Sequence, residues 1–508
     1  MERRAFISRT AQAGLALATP PLLRSAESAP AAAKPSPLIG IQIAGHSLFD
    51  EGIERCLDLV QSTARANALF LYSHSHYAAH NRPPSVYADH GVPLKDERKR
   101  KITRLWVRHD DSRFRAASLR FPRPAADEEY GDRDLFAELA PVCRARGLQL
   151  YARILEPGTN ELRGRVANFE RAMSVGLDGK LSAQPCRNNP EWQGFWDALV
   201  DDTIRTYPLD GYQWGAERVG PLSELLWRGT MPFCFCPHCE ARAQREGINP
   251  ARARQGFTAL HSLISGLRAG GVRPPDGVFT NVLRLLMKFP ELLAWDYQWR
   301  LALEEQGRRT YALVKAARPT AQVGRHFDHQ NTSWDALFLA QLSYAEVVPY
   351  TDFIKPILYH DILGPRLRWW HLERLKEGPL AELSLAQSLD LFYALRGYDP
   401  KHEPTLGELD QRGLSADYVA EETRRIVAVV QGKCGVIPGI GVDVPDNIAR
   451  PAGQAASKFR STPASLRAAV TQSFAAGATG LLISREYDEM RVENLRAIGD
   501  TLRDLRRV

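Results

Sequence analysis

Long apolar runs are scarce in this chain. Nothing reaches the ~18 consecutive apolar residues that a membrane-crossing helix needs, and the longest N-terminal stretch, Ala11 to Leu23, is too short to span a bilayer stably. Nucleotide signatures are missing too. No G-x-G-x-x-G or phosphate loop follows the first predicted strand, which weakens a dinucleotide-binding reading. There is no H-E-x-x-H pair, no internal repeat and no low-complexity tract. The net charge of +7 is spread as arginine over many predicted helices, without the basic block that nucleic-acid binding would favour. Cysteine is sparse, with 7 in 508 residues, so its placement carries information.

The remaining composition is that of a globular chain. A 44% hydrophobic content at this length can bury a large core, and 25% charged residues is ordinary for a soluble surface. The N-terminus reads differently. Arg3-Arg4 precedes the apolar stretch, and Ala31-Ala32-Ala33 fits an A-x-A cleavage site. Residues 1–33 are therefore expected to be a twin-arginine export signal, which makes the mature chain periplasmic or secreted.

From Pro37 onward, strand-like apolar runs alternate with amphipathic helical stretches, the pattern of βα units on a parallel sheet. Eight such runs are expected: Leu38–Ile43, Ala68–Tyr72, Leu148–Ile154, Leu209–Trp214, Gln322–His326, Phe353–Tyr359, Val436–Val442 and Thr479–Ser484. Eight strands in one series predict an α/β fold of the TIM (β/α)8 barrel type, as a single domain over 34–508. The excess length is expected in insertions at about 73–136, with an extra strand over Ile102–His109, and at about 219–289.

Active sites of such barrels form at the C-terminal strand ends. Those ends carry Tyr72 and His74, then Trp214, Glu217 and Arg218, then His326 and Asp328. The later ends carry Lys355, Tyr359 and His360, then Asp443, then Arg485 and Glu486. Aromatics, carboxylates and donors converging on one mouth suit a sugar ring. Paired histidines in His74-x-His76 and His326-x-Asp328-His329 leave a metal-dependent sugar isomerase or lyase as an alternative.

Cys56, Cys143 and Cys434 read as small buried hydrophobes. The other four are Cys186 and the C-x-C-x-x-C run Cys234, Cys236 and Cys239. Three thiolates with Cys186 or His238 as the fourth ligand would close a structural metal site. A disulfide with free thiols is the alternative in an oxidising compartment.

The segment from Cys186 through Asn189-Pro190, Asp210-Gly211-Tyr212-Gln213 and Glu217 to Cys239 resembles family-42 glycoside hydrolases, the TIM-barrel beta-galactosidases. The resemblance implies a carbohydrate substrate, a structural Zn2+ on Cys186, Cys234, Cys236 and Cys239, and Glu217 as the acid/base residue. Two positions depart from that pattern. Ala216 stands where the clan has Asn, and Asp443 stands nearest to the nucleophile Glu of the seventh strand. The expected chemistry is glycosidic cleavage by two carboxyl groups. Glu217 acts as acid, its pKa raised by Trp214, and Asp443 or secondarily Glu486 is the charged partner kept ionised by Arg218 or Arg485. Tyr72, Trp214 and Tyr359 are expected as sugar platforms, with Asp328 and His74, His326, Lys355 and His360 contacting hydroxyls. A non-catalytic carbohydrate-binding barrel is the further alternative.

Overall fold

The computed structural model describes residues 36–74, 89–92, 105–121, 130–156, 166–329, 333–444 and 461–508. The expected export signal over 1–33, His76 and much of the 73–136 segment lie outside the described residues. Pro37–Val508 forms one compact unit. No helix among the described residues is long and apolar enough to cross a membrane.

The described residues form eleven strands: β1 (Leu38–Ile43), β2 (Ala68–Tyr72), β3 (Gln149–Glu156), β4 (Met173–Val175), β5 (Leu181–Pro185), β6 (Gly211–Ala216), β7 (Gln322–Phe327), β8 (Phe353–Pro356), β9 (Gly435–Val436), β10 (Gly439–Gly441) and β11 (Gly480–Ser484). β4 and β5 form a separate antiparallel pair, which the sequence reading did not anticipate. The other nine make one sheet in the order β10-β11-β1-β2-β3-β6-β7-β8-β9. Every pairing in it is parallel. The strands are buried on both faces, which is why they read as continuous apolar runs rather than alternating ones.

The sheet is curled. Phe70 of β2 and Phe353 of β8 are separated in the strand order by β3, β6 and β7, yet their ring centroids lie 6.1 Å apart. Tyr151 of β3 stacks on Phe70 at 4.5 Å and meets Phe353 at 6.1 Å. These residues, with Ala68, Ile437 and Leu482, form a small inner core on the concave face. The alternate residues, such as Ile41, Leu69, Tyr212, Trp214, Val323 and Ile483, join the main core with the outer helices. This period of two decides which strand-end residues can reach a common site.

β9 and β10 stand at the two ends of the strand order but are separated in the chain only by Ile437 and Pro438. Pro438 has no N–H for a ladder bond, which accounts for the break in the expected seventh strand. Ile357, just beyond β8, bridges in parallel to Gly439 of β10, and Leu358 N–H donates to Gly439 O at 2.9 Å. Of the extra strand expected over 102–109, residues 102–104 lie outside the described residues, and Leu105 makes an isolated antiparallel bridge to His74.

Between β6 and β7 run the helices Pro237–Arg245, Pro250–Arg268 and Val278–Lys288, followed by the long helix Glu291–Ala317. They bury a second apolar cluster around Phe235, Phe257, Leu260, Leu292 and Trp295, which also contains the four clustered cysteines. Asn-Pro pairs start two key helices here: the side chains of Asn189 and Asn249 accept from backbone N–H groups of the first turn, and proline follows at the first helical position.

Candidate functional site

A cleft of about 430 Å³ opens at the C-terminal strand ends. Seven of the nine strands supply an inward residue near or just past the end: Gln42 from β1, Tyr72 from β2, Arg153 from β3, Glu217 after β6, Asp328 after β7, Tyr359 after β8 and Glu486 after β11. Three carboxylates therefore share one cleft with two tyrosine rings. Arg153 donates from Nε to Gln213 Oε1 at 2.9 Å and lies 4.3 Å over the Tyr72 ring. Gly441 leaves room for Tyr359, since a Cβ there would come 2.7 Å from its ring carbon Cγ.

Glu217 is the most accessible of the expected catalytic groups, with a side chain 41% exposed into the cleft. His326, fully buried in β7, donates from Nε2 to Glu217 Oε1 at 3.0 Å. The surrounding walls partly desolvate the carboxyl and raise its pKa, but the His326 bond and the nearby Arg153 charge prevail. The group is held well below the usual carboxylate range. Burial also holds His326 low, to about 3, so that the donor is the neutral imidazole near neutrality. This differs from the expectation of a Glu217 raised by Trp214. Trp214 points to the other face of β6, where it packs on Trp196 and lies 3.7 Å under the Arg325 guanidinium.

Several other expected site residues are engaged outside the cleft. Asp443 is fully buried and accepts from Arg491 Nε (3.0 Å), Arg491 Nη2 (2.9 Å) and Asn494 Nδ2 (2.9 Å), which ties β10 to the terminal helix. Arg218 pairs with buried Glu156 at 2.7 Å, alongside Arg187. Burial would raise the Glu156 carboxyl, but the two guanidinium groups hold it low. His74 joins a chain in which Ser73 Oγ lies 2.7 Å from its Nδ1 and its Nε2 lies 2.9 Å from His109 Nε2. His109 Nδ1 donates in turn to Asp202 at 2.6 Å. His360 sits 3.2 Å from Asp361. Among the described residues, His326, Asp328 and His329 form no metal-ligand cluster, and the partner expected for His74, His76, lies outside them.

Lys355 is fully buried below the cleft floor, in a space that glycine provides: a Cβ on Gly439 would lie 2.1 Å from its Cε. Its ammonium has no hydrogen-bond partner among the described residues, and burial pushes its pKa well below the usual amine range. Arg485 lines the cleft beside Glu486 and pairs with Glu489 at 3.0 Å.

The cleft also contains residues that sequence reading missed. Arg366, Trp370 and Arg374 line it from the helical segment after β8, beside His329, which the sequence had offered only as a metal ligand. The four-residue spacing of the first three places them on one helical face, and that spacing was the available signal.

Cys186, Cys234, Cys236 and Cys239 come together, with their Sγ atoms all within 4.8 Å of one another and all four residues buried. Such a set fits a tetrahedral cation bound by four thiolates and is compatible with zinc. Val175 N–H donates to Cys234 Sγ and Asn188 Nδ2 to Cys239 Sγ, each at 3.3 Å, as expected around negatively charged sulfur. His238 is exposed and stands apart from the donor set.

No protein-family model and no curated protein matches the chain. Its fold is similar to that of a beta-galactosidase from the Antarctic haloarchaeon Halorubrum lacusprofundi. The two share 12% identity at a TM-score of 0.50, over 92% of this chain and 58% of that one. A beta-galactosidase from Marinomonas ef1 (9% identity, TM-score 0.48) and an alpha-L-fucosidase isoenzyme from Paenibacillus thiaminolyticus (11%, 0.45) are also similar. In both cases the match covers 92% of this chain, and 59% and 49% of the respective partners. The chain thus spans roughly half to three-fifths of these longer proteins. At such identities the likeness establishes the α/β fold alone.

Proposed function

We propose that the protein is a glycoside hydrolase-like enzyme that cleaves a glycosidic bond with two carboxyl groups of the cleft. The observation that carries this reading is the convergence of Glu217, Asp328 and Glu486 with Tyr72 and Tyr359 in one cleft at the strand ends. Tyrosine rings offer faces to a sugar, and the carboxyl groups supply the acid and the charged partner. Glu217, held ionised by His326 and Arg153, is the charged partner; Glu486 is the acid. The likeness to glycosidase folds supports the same reading. In it, β9 and β10 are the two halves of a seventh strand, and the sheet is a closed (β/α)8 barrel. Zn2+ on the four cysteines is structural, a family-42-like feature, and residues 1–33 export the folded chain.

The test is hydrolysis of a panel of aryl glycosides and polysaccharides by the full chain. Glu217→Gln is expected to lose roughly 1000-fold in kcat while keeping its fold and metal content. Parent-level turnover in that variant would remove the proposal. A second reading, a non-catalytic sugar-binding barrel, is favoured by Asp443 being tied to Arg491 instead of facing the cleft. Calorimetry showing sugar binding without hydrolysis by the parent would select it.

A further inference from the structure

The cleft holds a cation that the proposed bond cleavage does not use. Arg366 lines it on the helix His360–Leu367 and is only 7% exposed. The neighbouring arginines have acceptors: Arg153 has Gln213, Arg228 has Glu224 and Arg485 has Glu489. Arg366 makes no hydrogen bond or ion pair among the described residues. Its guanidinium carbon rests 4.7 Å from the ring centroid of Trp370. Burying a guanidinium without a partner is costly, and a site keeps such a group when a ligand completes it.

A second orphan lies beside it. His329 also lines the cleft and is 5% exposed, and neither of its ring nitrogens has a hydrogen-bond partner among the described residues. Its ring stacks on the same Trp370, with centroids 6.1 Å apart and planes at 18°. A neutral imidazole offers one donor and one acceptor, which matches a sugar hydroxyl. Burial and the like charge of Arg485 hold the Arg366 guanidinium down to about 9, so it still carries its charge near neutrality.

A sugar hydroxyl cannot neutralise a guanidinium. A carboxylate or sulfate can, through two parallel N–H···O bonds. We propose that the cleft takes a sugar bearing an anionic substituent, a uronic carboxylate or a sulfate ester, seated on Arg366 with His329 beside it. This rests on the glycosidase reading of the same cleft and narrows its substrate class. Glu217, Asp328 and Glu486 would repel an anion placed among them, so the anion sits on the side of Arg366 turned toward Arg485, whose like charge acts on the same guanidinium.

Titration calorimetry with the full chain at neutral pH tests this. The probes are methyl glucuronide and methyl galacturonide, galactose 6-sulfate, the neutral methyl glucoside and methyl galactoside, and inorganic sulfate. The acidic sugars are expected to bind at least ~10-fold tighter than the neutral ones, and Arg366→Met to weaken them roughly 30-fold or more with neutral-sugar affinity unchanged. Because the substitution removes an unpaired buried charge, the variant should melt no lower than the parent. Which acidic probe binds tells carboxylate from sulfate. Equal binding of acidic and neutral sugars overturns the anion seat and leaves the glycosidase reading standing. Sulfate ion binding as tightly as the sulfated sugar, or no effect of Arg366→Met, also overturns it. Failure of every sugar to bind, with no hydrolysis, removes both.

Discussion

The chemistry of Glu217 is decided by one neighbour. Its carboxylate accepts from neutral His326, and that bond with the Arg153 charge outweighs partial burial and keeps the acid low. An enzyme that needs ionised Glu217 should therefore stay active well below pH 4 as far as this group is concerned. His326→Phe removes the donor, and the Glu217 pKa should rise toward ~4.3, the unperturbed value. The acid limb of kcat/KM against pH is then expected to move upward. A limb at the same pH in parent and variant would separate His326 from the titration. Glu217 was legible in the sequence as a carboxylate at a strand end. The role of Trp214 was misread through parity. Gln213 bonds Arg153 on the concave face, so Trp214, one residue on, must face the helices, and Glu217 returns to the cleft. The His326 contact was not legible, because it joins residues 109 positions apart.

Among elements, the strands were the most readable part, since burial on both faces writes them as apolar runs. Boundaries failed where polar reasons intervened: Pro438 splits the seventh run, and the β4–β5 pair is too short to show a pattern. The cysteine clip was readable because its spacing is local, and only the partner Cys186 had to be supplied from a distance. Its mechanical role follows from position. Cys186 stands before the helix Pro190–Thr206, while Cys234, Cys236 and Cys239 open the helices between β6 and β7, so one ion would join two loops around the second apolar cluster. One zinc per chain is expected by elemental analysis. Cys236→Ser should lose it, lower Tm, and open 219–289 to limited proteolysis before the sheet core is cut. A variant that keeps parent Tm and protease resistance without the metal would show that the clip carries no load.

At the scale of the whole molecule, walls built from distant segments make stability sensitive to acid. His371, on the segment Arg368–Leu372, accepts at Nδ1 from Trp227 Nε1 at 3.1 Å, joining the chain after β8 to the chain after β6. It is 5% exposed among Trp334 and Phe392, and burial, aided by Arg374, lowers its pKa to about 3. The unfolded chain would protonate the same residue near pH 6.5. Its pKa is thus depressed by folding, so its contribution to stability is fully present above ~6.5 and is lost progressively as pH falls toward 3. At pH 5 keeping this imidazole neutral costs about 2 kcal/mol. Two buried acids work in the opposite direction: burial raises Asp296 to about 6 and Asp335 to about 7, so the acid sensitivity of the whole chain is a balance of unlike groups. A single substitution isolates one side of that balance. His371→Gln retains an acceptor for Trp227 but cannot titrate, so its stability relative to the parent should improve by about 2 kcal/mol between pH 7 and pH 5. Urea unfolding of both proteins at the two pH values measures this. An unchanged difference would mean that His371 is protonated in the folded protein and that the wall it bridges admits water.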